Sequence, residues 1–228
     1  NSLKAQLLFK SGQLEQSVAV LEQLKKNSLN DPSLLHLLKE VYVKLEDWQA
    51  LKDLIPTLEK NKVIDSAEIE QIQMRIFMEE LYATCSKKEE SAKQDALVQL
   101  MKLWKKAPVK YREDEKVVKH YIELLIQLDA QEEAAKAIEV AVSKNWSEAL
   151  VLRYGEQDFG TSQQQLLVAE GWLKARPANS NLLLCLGRIS MRNELWGKAK
   201  EYYEASIKIA PSAEAYGELS RLLKHLGE

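Results

Sequence analysis

Residues 180–211 read SNLLLCLGRISMRNELWGKAKEYYEASIKIAP, and this stretch decides the fold of the chain. Apolar residues recur at helical spacing in both halves, which predicts two amphipathic helices joined by a tight turn around Arg192–Leu195. Gly187 and Ala199 leave room for the two helices to approach closely, and large residues fill the groove beside them. The predicted contact faces are Leu183, Leu186 and Gly187 in the first helix, and Trp196, Ala199, Tyr203 and Ser206 in the second.

This alternation of bulky, small and aromatic residues, ended by Pro211, is typical of a tetratricopeptide (TPR) repeat. Leu150, Leu152 and Pro177 recur as Leu184, Leu186 and Pro211, 34 positions later, which is the length of a TPR repeat. The rest of the chain reads as more divergent copies of the same unit. We therefore expect an all-α, TPR-like right-handed superhelix of antiparallel helix pairs, with about 13 helices.

The predicted repeats form a single domain over residues 1–228. They span roughly residues 1–28, 32–63, 65–107, 113–145, 147–178 and 180–211, and a capping helix follows at 213–227. Asp31 and Pro32 are a strong helix start, since Asp caps and Pro suits the first turn. Pro56 falls inside a helix, where we expect a kink. We expect a loop at residues 107–112 and a charged, exposed link at residues 86–91, SKKEES.

Composition narrows the class of protein. Of the 228 residues, 46% are hydrophobic and 29% charged, and the net charge is −2, with both signs interspersed. No basic stripe of the kind that binds nucleic acid is visible, so we expect no nucleic-acid partner. Cys85 and Cys185 stand alone in sequence, which indicates buried, reduced thiols and a cytosolic environment. No apolar run is long enough to span a bilayer, and no signal peptide is apparent.

Motifs that carry catalysis are missing from the sequence. It contains no nucleotide-binding loop, no dinucleotide fingerprint, no HExxH, no GxSxG and no paired cysteines. The three histidines, His36, His120 and His225, are far apart in sequence. We therefore expect no enzymatic activity, no metal and no cofactor.

In a TPR stack the first helix of each pair lines a concave groove. The side chains predicted to face that groove mix charged and apolar groups, which suits the docking of a peptide or helix through a few anchors. The candidates are His36, Glu40, Lys116, Lys119, His120, Glu123, Tyr154, Arg188 and Met191, with Val43, Leu150 and Leu184 as apolar neighbours. His36 or His120 could instead ligate haem iron, which keeps a haem or porphyrin binder as an alternative.

Three stretches make the chain resemble the HemY family of proteobacterial TPR proteins, which is linked to late haem biosynthesis. The first is KLEDWQALKDLIPTLEKNKV at residues 44–63, and the second is the unequal helix pair over residues 65–106. The third is residues 171–223, which contain LWGKAKEYYEAS at residues 195–206. The third stretch is the most distinctive, because it is more particular than the TPR consensus.

The resemblance implies a function that the repeats alone do not. Members of the family carry two N-terminal transmembrane helices, so this chain, which begins at Asn1, is expected to be the soluble part of a protein anchored at the cytoplasmic face of the bacterial inner membrane. The resemblance implies a scaffold for haem-biosynthesis enzymes, or a protein that hands on tetrapyrrole, and it carries over no catalytic residues. A generic peptide-binding TPR adaptor in envelope assembly is the alternative, and the oligomeric state is left open.

Overall fold

The computed structural model describes residues 2–27, 31–86 and 92–227, which form fourteen helices and no strand. Within the described residues, α1 packs on α2, α3 on α4, α8 on α9 and α12 on α13, so this part of the chain is all-α and TPR-like, as the sequence predicted. The helices are α1 (Ser2–Lys10), α2 (Leu14–Asn27), α3 (Pro32–Leu45), α4 (Trp48–Lys60), α5 (Ser66–Cys85), α6 (Lys93–Lys106), α7 (Val109–Glu113), α8 (Glu115–Gln127), α9 (Gln131–Lys144), α10 (Glu148–Glu156), α11 (Ser162–Ala175), α12 (Ser180–Arg192), α13 (Trp196–Ile209) and α14 (Ala213–Leu226).

The short helix α7 corrects the predicted loop at residues 107–112. Pro108 precedes the helix, and its carbonyl accepts hydrogen bonds from the amides of Tyr111 and Arg112 at 3.0 and 3.3 Å. Tyr111 is buried, so the turn is held by packing as well as by hydrogen bonds. Residues 87–91 of the predicted charged link lie outside the described residues, and helix α6 begins at Lys93.

Polar caps fix several helix starts. The predicted start at Asp31 is confirmed, because its carboxylate accepts a hydrogen bond from the Ser33 amide at 3.0 Å and Pro32 is the first helical residue. Asp47, Asp114 and Asn179 cap α4, α8 and α12 in the same way. None of the helices built from the described residues combines the length and apolarity that crossing a bilayer requires.

The chain divides into two compact units, Asn1–Glu80 and Leu81–Glu228. In the first unit, α2 packs on α1 and α3, and α4 packs on α3. Leucine and isoleucine side chains from these helices and from α5 form its core, which includes Leu21, Leu35, Leu58 and Ile76. Ser17 is buried between α1 and α2, and its hydroxyl donates a hydrogen bond to the Ala5 carbonyl at 2.9 Å.

In the second unit α12 is the central helix, because it packs against α10, α11 and α13. Two glycines allow these approaches. A Cβ on Gly155 of α10 would lie 2.7 Å from the Cys185 Cα, and one on Gly187 would lie 2.5 Å from Cδ1 of Tyr203. The predicted close approach at Gly187 is thus confirmed. Cys85 and Cys185 are buried and unpaired, as predicted.

Candidate functional site

The first candidate surface lies in the first unit, between α3 and α5, and is called the α3/α5 groove. It encloses about 430 Å³ and mixes apolar with charged side chains. Helix α3 is the first helix of the α3/α4 pair, so the groove lies beside a helix that the TPR pattern predicts to bind partners. Its lining residues are Lys39, Glu40, Val43, Glu46, Trp48, Leu51, Glu68, Gln71, Ile72 and Arg75.

Lys39 is the buried charge of the α3/α5 groove. Its side chain is only 6% exposed, and its ammonium contacts Glu68 of α5 at 2.5 Å and Glu40 at 3.2 Å. Burial by itself lowers the pKa of Lys39, but the hydrogen bonds and negative charge of Glu68 and Glu40 outweigh it and raise the pKa above its usual value of 10.5. The ammonium therefore stays charged and ties α3 to α5 beneath the groove.

The mouth of the groove is apolar on one side and cationic on the other. Val43 is 39% exposed, and Ile72 and Trp48 are half-buried beside it. The Arg75 guanidinium lies over the Trp48 ring, 5.4 Å from its centroid, and also contacts Glu79 at 2.8 Å. An apolar side chain could therefore dock against Val43 while a polar group reaches the exposed Arg75.

The second candidate surface lies in the second unit and is called the Arg188 cavity. It has a volume of about 300 Å³ and is lined by Gly155, Glu156, Arg188, Met191, Arg192, Tyr203 and Glu218. Arg188 of α12 lies among three carboxylates, with Glu218 at 3.1 Å, Glu214 at 3.2 Å and Glu156 at 3.6 Å. These contacts outweigh the effect of burial and raise the pKa of Arg188.

Arg192 and Tyr203 complete this cavity. Arg192 donates from Nη1 to the Gly155 carbonyl at 2.7 Å, near the C-terminus of α10. Its Nε and Nη2 atoms are buried without a hydrogen-bond partner among the described residues, and so is the hydroxyl of the fully buried Tyr203. Burial lowers the pKa of Arg192 and raises that of Tyr203.

Three of the predicted candidates line these surfaces. Glu40 lines the α3/α5 groove, and Arg188 and Met191 line the Arg188 cavity. His36 is exposed on α3 but is not part of the groove lining.

The four candidates on α8 are exposed or half-buried, and two of them form ion pairs or hydrogen bonds with other side chains. Lys119 pairs with Glu115 at 2.9 Å, and Glu123 accepts two hydrogen bonds from Arg153 at 2.6 and 3.0 Å. Lys116 is exposed and His120 is half-buried. The structure thus places the four α8 candidates on one helix and gives Glu123 a partner on α10.

Tyr154 lies in the core and does not face a groove, which corrects its prediction as a binding residue. It is fully buried, its hydroxyl donates to Glu139 at 2.6 Å, and its ring lies 5.0 Å from that of Trp172. Leu150 and Leu184, expected as apolar neighbours in the groove, are buried too, at 2% and 3% exposure. These residues hold α10 and α12 in the core, because α12 is covered by helices on several sides.

Sequence reasoning missed Lys39, Arg75 and Arg192. One signal was available for Lys39, because it follows Leu35 by four residues and precedes Tyr42 by three, so it shares the buried stripe of α3. A lysine in such a stripe indicates a buried ion pair. For Arg192 the sequence shows only a basic residue in a last helical turn, and that is common.

The described part of the chain contains neither a metal-binding cluster nor an activated thiol. No group of three or more His, Cys, Asp or Glu side chains there could hold a metal ion. Burial raises the pKa of Cys185 to about 12 and also raises that of Cys85, so neither thiol is activated as a nucleophile.

Comparison with solved structures finds TPR proteins at low identity. The TPR domain of P58(IPK) is 15% identical over 98% of this chain with a TM-score of 0.37, and this chain spans 64% of its length. YrrB, described as a TPR protein with an unusual peptide-binding site, is 14% identical over 95% of this chain and 88% of its own, with a TM-score of 0.35. The TPR2AB domain of yeast Sti1, solved as a complex with pHSP90, is 10% identical over 100% of this chain and 97% of its own, with a TM-score of 0.40. No protein-family model and no curated protein matches the sequence.

Proposed function

We propose that this chain is a non-enzymatic scaffold that binds segments of other proteins, and that the α3/α5 groove is its main docking surface. The observation that carries the proposal is the groove itself, an open space of about 430 Å³ lined by residues of α3, α4 and α5. Grooves that combine an apolar floor with a few charged groups suit peptide recognition, because the apolar part gives affinity and the charges give orientation.

The occupant that fits the groove is a peptide segment carrying one apolar side chain next to an acidic one. Val43, Ile72 and Trp48 offer the apolar contact. Arg75, 59% exposed at its side chain, offers a positive group at the rim. Lys39 is paired with two carboxylates and its side chain is only 6% exposed, so it fixes the groove wall. Arg75 pairs with Glu79 of its own helix at 2.8 Å, but its side chain is 59% exposed, so a carboxylate of the partner can reach it.

The partners that we propose are enzymes of late haem biosynthesis, at the cytoplasmic face of the bacterial inner membrane. This finer assignment rests on the resemblance of residues 44–63, 65–106 and 171–223 to the HemY family. The groove supports the protein-binding part of the proposal, and the resemblance supports the pathway. A scaffold of this kind holds enzymes near one another, which shortens the path of a poorly soluble tetrapyrrole between them.

Quantitative co-purification with a groove-blocking variant tests this function. Val43→Glu replaces the apolar contact at the groove mouth with a carboxylate that repels the acidic side chain of the partner. Val98→Glu is the matched control, because Val98 is 57% exposed on α6 and does not line the groove. We expect a haem-pathway enzyme to co-purify with the parent chain and with Val98→Glu, and its recovery to fall about tenfold with Val43→Glu. Recovery of one envelope complex and no haem-pathway enzyme would favour the adaptor alternative.

An optical titration distinguishes direct haem binding from a scaffold function. Haem is added to the chain while its Soret band is followed, and the titration is repeated with His36→Ala and His120→Ala. A saturable shift that one substitution abolishes would make the chain a haem carrier with a located ligand. A flat or non-saturating response leaves the scaffold as the function. A saturable shift that neither substitution changes would mean that haem binds through other residues.

A further inference from the structure

A third surface lies in the second unit, between α6 and α9, and is called the α6/α9 groove. It encloses about 240 Å³ and is lined mainly by apolar side chains. Met101 and Trp104 of α6 form one wall, and Ala137 and Val140 of α9 form the other. Because α9 is the second helix of the α8/α9 pair, this groove is separate from the first-helix surface that the repeat pattern predicts to bind partners.

The floor of the α6/α9 groove is preformed and apolar. The ring of Trp104 stacks on that of Tyr121 of α8, with the two centroids 4.1 Å apart and the two planes at 5°. Tyr121 and Val118 are buried, at 4% and 2% exposure. An apolar cavity of about 150 Å³ holds a benzene ring, so the α6/α9 groove has room for one or two apolar side chains of a ligand.

Two apolar side chains are left uncovered at the mouth of the groove. Val140 is 56% exposed and Met101 is 40% exposed. The α9 wall extends from Glu133 to Lys144, which is about 17 Å along the helix axis. A ligand helix of about three turns matches this length, and its apolar side chains at i, i+3, i+4 and i+7 meet both walls.

The α6 side of the groove is positively charged. Residues 96–112, which run from α6 into α7, contain four lysines, one arginine and no acidic residue. Lys105 is exposed and follows Met101 by four residues, so it lies on the same face of α6. An acidic side chain of a ligand is therefore attracted to this wall.

The α9 side carries charges that offset one another. Lys136 and Lys144 line it together with Glu133. Lys136 also contacts Glu132 at 2.7 Å, and Lys144 contacts Glu113 at 3.7 Å. The difference in charge between the two walls gives a bound helix one orientation, with its acidic side chains toward α6.

We propose that the α6/α9 groove binds an amphipathic helix of a partner protein, with apolar side chains in the groove and acidic side chains next to α6. The inference rests on the proposed function as a protein-binding scaffold, and it adds a second docking surface on a different set of helices. Burial of Val140, Met101 and the apolar side chains of the helix supplies most of the affinity. The lysines of α6 orient the helix and make its binding depend on salt.

The test is an NMR titration of the full 228-residue chain with labelled methionine methyl groups. The probe is a stapled helical peptide of about three turns, with leucines at i, i+3, i+4 and i+7 and glutamate or alanine elsewhere. The Met101 signal is identified by its loss in Met101→Leu, and Met191, which lines the Arg188 cavity, is the internal control. We expect a saturable shift of Met101 and no shift of Met191.

Two further peptides test the chemistry of the ligand. A peptide of the same composition, with its leucines scattered around the helix, should bind at least about tenfold more weakly because it presents no continuous apolar face. A peptide with glutamine in place of glutamate should bind about threefold to tenfold more weakly at low salt, and high salt should remove most of this difference.

Two variants of the chain locate the contact. Val140→Gln should weaken binding of the glutamate peptide about fivefold to tenfold, because it removes an apolar contact without adding charge. Val109→Gln is its control, since Val109 is 53% exposed on α7 and does not line the groove. Lys105→Glu should weaken binding about tenfold at low salt, and Lys174→Glu, at an exposed position of α11, should not.

Several outcomes would overturn the inference. These are no saturable shift of Met101, equal affinity for the scattered-leucine peptide, or equal effects of Val140→Gln and Val109→Gln. A dimer in light scattering that Val140→Gln dissociates would make the occupant a second copy of this chain. Binding to phosphatidylserine vesicles that Val140→Gln abolishes, without peptide binding, would make it a lipid surface.

The inference and the proposed function fail in different ways. If the peptide binds at Met101 while co-purification finds no protein partner, the helix-binding groove stands and the scaffold function fails. If a partner co-purifies and is lost with Val43→Glu, but the peptide does not bind, the scaffold function stands and only the α6/α9 groove is wrong.

Discussion

Gly187 of α12 and Tyr203 of α13 pack so closely that a Cβ on Gly187 would lie 2.5 Å from Cδ1 of Tyr203. Tyr203 is fully buried, and its ring occupies the space that any larger residue at position 187 would need. The contact joins the two helices of the hairpin at residues 180–211, and Tyr203 is also part of the lining of the Arg188 cavity.

Gly187→Ala should destabilise the chain by about 1–3 kcal/mol, because the added methyl group overpacks a contact with an immobile ring. Gly217→Ala is the matched control, since Gly217 is exposed in α14 with no atom within 4 Å of its added Cβ. That control should instead stabilise the chain by about 0.5–1 kcal/mol through helix propensity. Urea unfolding measures both free energies, and equal effects of the two variants would contradict the packing account.

The buried Lys39 predicts a dependence of stability on alkaline pH. Its pKa in the folded chain is raised above 10.5, so the stabilisation by its ion pairs is fully present below pH 10.5 and is lost as the pH rises through the folded pKa. Glu68→Gln should cost about 1–3 kcal/mol at neutral pH, because it removes a charged partner from a buried ammonium.

The control for Lys39 is Glu80→Gln, which removes the partner of the exposed Lys52, 2.6 Å away. Both side chains of that pair are exposed to solvent, so the variant should lower the free energy of unfolding by about 0–1 kcal/mol. Chemical unfolding at several pH values provides the comparison. A Glu68→Gln variant as stable as Glu80→Gln would show that the Lys39–Glu68 pair does not hold α3 to α5.

From the hydrogen bonds of Glu148 we predict that the stability of the chain depends on pH in the acidic range. Burial by itself raises its pKa, but hydrogen bonds from Trp146 at 2.6 Å, Asn179 at 2.7 Å and Asn181 at 3.0 Å outweigh it and lower the pKa below 4.5. Its contribution to stability is therefore present above pH 4.5 and is lost as the pH falls through the folded pKa.

Glu148→Gln should lower stability by about 1 kcal/mol at neutral pH, and the difference from the parent chain should shrink as the pH falls below 4.5. Glu132→Gln is the control, because Glu132 contacts only Lys136 of its own helix among the ion pairs described. It should change stability much less. A Glu148→Gln deficit that persists unchanged in acid would mean that charge has no part in this network.

The sequence predicted the helix pairs, several of their ends and the Gly187 contact, because those features depend on local periodicity, capping and residue size. It did not predict the burial of Tyr154, since that depends on how α12 is covered by neighbouring helices. Helix α7 was missed because five residues are too few to show a period.

The candidate sites were predicted only in part, for a physical reason. Glu40, Arg188 and Met191 lie at register positions that the repeat pattern specifies. The groups that give the surfaces their chemistry, Lys39 and Arg192, depend on partners from other helices, such as Glu68 and the Gly155 carbonyl. Such pairings are set by tertiary packing and leave little trace in one sequence.

Site-specific photo-crosslinking in cells tests the central claim most directly. A photoreactive phenylalanine replaces Val43 in the α3/α5 groove, and the same group replaces Val98 as the control at an exposed position outside it. The account predicts one cross-linked protein at position 43, absent at position 98 and lost when Trp48→Ala or Arg75→Ala is added. Equal cross-linking at both positions, or a product at position 43 that survives both substitutions, would contradict it.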